Sequence, residues 1–229
     1  MDNWCIILTG ANTGIGLECA KELCSSRYEF DLIITVRTHR KGEETISLLK
    51  ALYPDCKVTF YVMDLADHAS IRSFVHDFLA SGKSPSILIN NAGLAPSFSS
   101  AVRGSLPGKS DAEIAMSVNC MGTFLLTTLL IDSLREAYKT VGKSQPSRIV
   151  NVSSMLSTRP TNFYIDDIML QETGHYENGR QAYTCSKIAL NLWSSALADK
   201  LNSSEITINC VCPGFIPGTG LGRESPFYL

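Results

Sequence analysis

Tyr183 and Lys187 stand four positions apart in the segment QAYTCSKIAL. On a helix that spacing puts both side chains on one face, about 5–6 Å apart at Cβ. A free tyrosine has a pKa of about 10, too high for efficient proton transfer at neutral pH. A neighbouring ammonium favours the phenolate and lowers that value. The pair is therefore able to pass protons. By itself it reads first as an amphipathic surface, with a half-buried ring and a solvated lysine, and the rest of the chain has to shift that reading.

A second stretch able to do chemistry is TGANTGIG, which follows the apolar run WCIILT directly. Gly10, Gly14 and Gly16 would permit a tight turn and let backbone N–H groups approach a phosphate. The helix that follows would add partial positive charge at its N-terminus. The spacing is G-x-x-x-G-x-G rather than the G-x-G-x-x-G of most dinucleotide folds. A third stretch is TVRT. Dinucleotide folds that prefer NAD carry an acid there, on the ribose 2′-hydroxyl. This chain has Arg37, with Arg40 and Lys41 behind it. A planar guanidinium suits a 2′-phosphate, so NADP is the expected cofactor.

Such groups need a frame. Short apolar runs rich in β-branched residues recur: WCIILT, FDLIITVR, KVTFYVMDL, SILINNAG, SRIVNVSS and ITINCVCPG. Strands apolar on both faces belong to parallel sheets covered on both sides. Segments of helical period lie between them, at 15–25, 42–52, 69–79, 111–138 and 182–201. The alternation predicts one α/β domain over 1–229, a doubly wound parallel sheet. Two long polar loops interrupt it, at 95–109 and 155–179, and loops of that length are commonly functional or disordered.

Bulk properties narrow the class. With 45% hydrophobic and 18% charged residues, the 229-residue chain can bury a sizeable core. A net charge of −2 gives no nucleic-acid footprint. Eight cysteines are scattered without C-x-x-C spacing, and His39, His68, His76 and His175 are dispersed, so no metal site is expected. The cysteines read as buried, reduced thiols. The run WCIILTG and the later GTFLLTTLLI are too short for a membrane span, which makes the cytoplasm the expected location.

With TGANTGIG, NNAG and YTCSK in order on one alternating chain, the sequence resembles the short-chain dehydrogenase/reductase family. The matching motifs run from Thr9 to Pro213. The resemblance implies a Rossmann-like domain with a seven-stranded parallel sheet, binding NAD(P). It assigns Gly10, Asn12, Thr13, Gly14, Ile15 and Gly16 to the phosphate turn, and Asp64 and Leu65 to the adenine. Asn91, Ala92 and Gly93 would border the nucleoside, with Asn90 behind them. Pro213, Gly214, Ile216 and Thr219 would lie beside the nicotinamide. Asn119, Ser154, Tyr183 and Lys187 would be catalytic. Ser154 would stabilise charge on the substrate oxygen, Tyr183 would pass the proton, and Lys187 would hold the nicotinamide ribose. Asn119 would anchor a water relay to Lys187.

Two departures refine this expectation. Ser154 and Tyr183 are separated by a long segment that is similar to the retinol dehydrogenase-like and protochlorophyllide reductase-like branches, and PGFIPGTGLGR resembles the latter. The substrate is accordingly expected to be a lipophilic carbonyl or alcohol: a retinoid, steroid or long-chain carbonyl. The chain also stops at Leu229, before the lid and last strand that the family carries. A homodimer through the helices at 111–138 and 182–201 is compatible with the resemblance. The rival readings are double-bond reduction of a tetrapyrrole, and a dinucleotide-binding scaffold or sensor without turnover.

Overall fold

The computed structural model of the chain describes residues 4–101, 103–106, 109–140, 145–216 and 221. Strand and helix alternate through its first half: β1 (Trp4–Thr9), α1 (Gly14–Cys24), β2 (Phe30–Val36), α2 (His39–Leu52), β3 (Val58–Val62), α3 (His68–Ala80) and β4 (Ile87–Asn90). A short antiparallel hairpin follows, β5 (Ser105–Leu106) and β6 (Lys109–Glu113). The second half holds α4 (Thr123–Thr140), β7 (Ser147–Val152), α5 (Gly179–Ala198) and β8 (Ile206–Val211).

Six parallel strands form the main sheet in the order β3-β2-β1-β4-β7-β8. This is the Rossmann-like doubly wound arrangement. Chain order reverses between β1 and β4, and ligands bind in the crevice outside the strand ends at such a point. Strand alternation divides the core in two. Ile6, Leu8, Leu32 and Ile34 face α1 and α2, with Ala20 and Leu49. Ile7, Ile33, Leu88 and Ile149 face α3 and α4, with Phe74, Phe78, Leu126 and Leu130. Fully burying Phe74 or Phe78 contributes roughly 2–3 kcal/mol each. Strands covered on both faces explain runs without polar alternation.

Side-chain caps set several helix starts. The Thr38 hydroxyl accepts from Lys41 N, so α2 opens at His39, earlier than periodicity suggested. Asn178 accepts from Gln181 N at 2.9 Å, so α5 opens at Gly179.

The helix expected over 111–138 begins later. Asp111 lies in β6, and the helix is entered through a π-helical segment, Met116–Gly122. Glu113 stops the strand: its buried carboxylate accepts from Met116 N at 2.6 Å, as an N-cap does. The span Met116–Thr140 is long and apolar enough to cross a bilayer by length and composition. Leu126, Leu130 and Leu134 on it pack against the sheet as a core helix.

The cysteines depart from expectation. Cys24, at the end of α1, and Cys56, before β3, form a disulfide, with Cα atoms 5.2 Å apart. Cys210 and Cys212 are exposed, while Cys5, Cys120 and Cys185 are buried thiols. No pattern in the sequence links positions 24 and 56; they meet because α1 and the start of β3 pack on the same core cluster.

Candidate functional site

The glycine turn closes on the loop after β4. Gly10 has φ +68°, a conformation side chains rarely adopt. A Cβ on Gly10 would lie 2.8 Å from Ala92 Cα. A Cβ on Gly16 would overlap the Gly10 carbonyl and Asn91 Nδ2. Both positions therefore exclude any side chain. Gly14 (φ +55°) opens α1. The N-cap is Thr13, whose side chain makes no capping hydrogen bond. The first-turn N–H groups of α1 thus lack a side-chain partner, the arrangement that receives an anion. Asn12 and Ile15 flank this turn half-buried.

Asn91 does structural work. Its Nδ2 donates to Thr9 O at 2.9 Å and to Gly10 O at 3.2 Å. The Thr9 hydroxyl accepts from both Asn91 N (3.0 Å) and Ala92 N (2.9 Å). Sequence reasoning does not single out Thr9. Its signal was a polar residue ending an otherwise apolar strand beside a glycine. Behind it, Asn90 Nδ2 donates to Thr127 Oγ1 (3.0 Å) and Asn151 Oδ1 (2.8 Å), and Asn151 Nδ2 donates to Ser194 Oγ (2.8 Å). This buried ladder ties β4, β7, α4 and α5 together.

The cations after β2 divide by partner. Arg40 and Lys41 both bind Glu44, at 2.8 and 3.1 Å. Arg37 is exposed, with no hydrogen bond or ion pair among the described residues. Asp64 accepts from Ala66 N at 2.9 Å, and Leu65 is buried with its carbonyl against Gly122.

Tyr183 and Lys187 share one face of α5, and Lys187 Nζ lies 5.9 Å from the Tyr183 ring centroid. Both are buried, 4% and 5% exposed. Burial pushes the phenol above its ordinary value, and a hydrogen bond with the Ser154 side chain offsets part of this. The net lowering expected for the phenol is therefore not found: desolvation is the largest influence on it. Burial also lowers Lys187, to about 8, with the thiols of Cys210 and Cys120 opposing the fall. Lys187 Nζ donates to Val152 O at 2.7 Å. Ser154 follows β7 in extended conformation, its hydroxyl accepting from Leu156 N. Phe98, from the loop after β4, packs on the Tyr183 ring at 5.8 Å, a contact with no sequence signal.

Asn119 sits in the π-helical segment, 1% exposed. Its amide grips Leu94 twice, accepting from N at 2.9 Å and donating to O at 2.8 Å, and donates to Ser186 Oγ at 3.0 Å. It makes no direct hydrogen bond to Lys187. Both side chains reach Gly93, where a Cβ would meet Asn119 Oδ1 at 3.2 Å and Lys187 Nζ at 3.6 Å. Pro213, Gly214 (φ +80°) and Ile216 follow β8, with Ile216 exposed. Thr219 lies outside the described residues.

The fit to a dinucleotide rests on three observations: a turn no side chain can enter, a helix N-terminus without a side-chain cap, and a cation without a partner among the described residues. The residues therefore fit that group.

Comparison with known proteins agrees. The short chain dehydrogenase family profile matches residues 4–165 and 172–226. The chain is 38% identical to retinol dehydrogenase 12 of Bos taurus over 213 residues, 92% of this chain and 61% of that protein. It is 35% identical to the short-chain dehydrogenase TIC 32 B, chloroplastic, of Brassica napus, over 96% of this chain and 65% of that one. It thus spans less than two thirds of the length of these curated relatives. Among solved structures, a metagenomic short-chain oxidoreductase in complex with NADP superposes with TM-score 0.69 at 25% identity, covering 93% of this chain and 83% of that one. The chain belongs to the short-chain dehydrogenase/reductase family, with retinol dehydrogenases among its relatives.

Proposed function

We propose that the protein is an NADP-dependent oxidoreductase that interconverts a carbonyl and an alcohol on a lipophilic small molecule. The observation that carries this reading is the convergence of Ser154, Tyr183 and Lys187, with Lys187 Nζ reaching Gly93 in the loop that closes on the glycine turn.

Gly10, Asn12, Thr13, Gly14, Ile15 and Gly16 would hold the pyrophosphate, and Arg37 the 2′-phosphate. Asp64, Leu65, Asn91, Ala92 and Gly93 would border the adenosine half. Lys187, Pro213, Gly214 and Ile216 would border the nicotinamide half. When bound, the nicotinamide supplies or accepts the hydride. Tyr183, held above its ordinary pKa, is protonated at neutral pH and gives its proton to the substrate oxygen in reduction. The Ser154 hydroxyl orients that oxygen and stabilises its developing charge. The Lys187 ammonium, near the ring, favours the phenolate left behind. Asn119 holds the loop at Leu94 and the helix at Ser186 in place around them.

The retinol dehydrogenase relatives support a retinoid or similar lipophile as substrate. The cytoplasm is our proposed location, and a homodimer through α4 and α5 our proposed assembly. The exposed Phe124 and Leu192 on those helices support the dimer. Fractionation of expressing cells and sedimentation of the purified protein test these two points. The central test is titration with NADPH and NADH, followed by turnover of retinaldehyde, a steroid ketone and small aldehydes. Binding of NADPH with no turnover of any carbonyl would sink the enzyme reading and favour a sensor.

A further inference from the structure

The segment 155–179 leaves the sheet at Ser154 and returns to α5 four residues before Tyr183, so its two ends border two of the reacting groups. It contains little regular structure of its own, only the 3-10 turns Met155–Thr158 and Ile165–Asp167. Asp167 ties it internally, its carboxylate accepting from Gln171 N and Glu172 N and meeting His175 Nδ1, so its seat against α5 needs contacts from the helix itself. Gln181, in the first turn of α5, is 3% exposed and turns its carboxamide toward this segment. Gln181 Nε2 donates to the carbonyls of His175 (2.8 Å) and Asn162 (3.2 Å). Its Oε1 accepts from Glu177 N at 2.7 Å. One side chain thus holds the main chain at three places. One turn on, Cys185 Sγ donates to the same Asn162 carbonyl at 3.4 Å. Helix α5 therefore has two working rows: 183 and 187 face the cleft, while 181 and 185 face the segment.

We infer that Gln181 is a positioning residue: its carboxamide fixes the 155–179 segment against the helix that carries Tyr183 and so sets the shape of the substrate pocket. The chemistry is specific to an amide. Two carbonyls and one N–H require two donors and one acceptor on one short side chain, and glutamine carries both. Glutamate offers no donor, and leucine offers neither. The anchoring is independent of function; the consequence for substrates rests on the oxidoreductase reading above.

The test compares wild type with Gln181→Leu and Gln181→Glu. The second keeps the shape and the acceptor for Glu177, and carries the same readings should the first not fold. Hydrogen exchange is followed across 155–179 and across the sheet. KM and kcat are measured for retinaldehyde and for a small aldehyde, and NADPH affinity is measured by titration. The expected result is faster exchange confined to 155–179. KM for retinaldehyde should rise about tenfold, the weight of one or two lost hydrogen bonds. NADPH affinity and the small aldehyde's kcat should stay within about twofold. Unchanged exchange in the segment overturns the inference. So does an equal loss on both substrates together with lost NADPH affinity, the mark of general destabilisation. If wild type turns over no carbonyl, the oxidoreductase reading fails separately, and exchange alone decides whether Gln181 holds the segment.

Discussion

The charge state of Lys187 decides how its burial is felt. Its value in the fold, about 8, lies below the ordinary 10.5. Below pH 8 the native protein carries a desolvated ammonium, at a cost to stability. Between 8 and 10.5 the native lysine sheds its proton while the unfolded one keeps it, so the cost fades as pH rises. Lys187→Met removes the charge and keeps most of the stem, at the loss of the hydrogen bond to Val152. We expect it to gain about 2 kcal/mol at pH 7, an advantage that shrinks toward pH 10.5. Thermal melts of both proteins at pH 7 and pH 10 check this. Tyr183→Phe should leave NADPH affinity unchanged and lower turnover at least about a hundredfold, measured by titration and steady-state kinetics. Arg37→Asp should weaken NADPH by about ten- to a hundredfold and leave NADH little changed. An unaltered preference would remove Arg37 from the reading. The positions of these three residues were legible because each depends on local spacing: a helical repeat of four, or the first residues beyond a strand. The direction of the Tyr183 shift was not, because desolvation depends on what packs over the ring, and Phe98 comes from 85 positions upstream.

Elements were legible where one period ran unbroken. The six core strands and the helices α1, α2, α3 and α5 lie within a few residues of where apolar patterning placed them, since tertiary burial and local pattern agree there. The exceptions have physical causes. Glu113, a good helix former by propensity, folds back as a cap, so β6 and the π-helical segment occupy a stretch that reads as one helix. The ladder from Asn90 through Asn151 to Ser194 joins residues whose contact only the sheet creates. The close seating of α1 on the first turn yields a prediction at this scale. Gly16→Ala should cost about 2–3 kcal/mol by chemical denaturation, because the methyl meets backbone and an engaged amide rather than a movable side-chain end. NADPH binding should fall with it.

Across the whole molecule, the Cys24–Cys56 pair closes a loop with a sequence separation of 32. Closing a loop of that size stabilises by roughly 3–4 kcal/mol in the chain-entropy account. Dithiothreitol should lower the melting temperature of wild type and leave Cys24→Ser unaffected. Equal melting of wild type with and without reductant would show the thiols unbridged, as the cytosol keeps them. A different long-range link bears on how a guest is received. The single hydroxyl of Thr9 joins the termini of β1 and β4, two strands that begin some eighty residues apart in the chain. The cradle they form is already tied together by these hydrogen bonds, so folding meets part of the entropic cost of ordering it. Calorimetry of NADPH association should accordingly show a small unfavourable entropy and a modest heat-capacity change, the marks of a lock that does not reshape itself around its key.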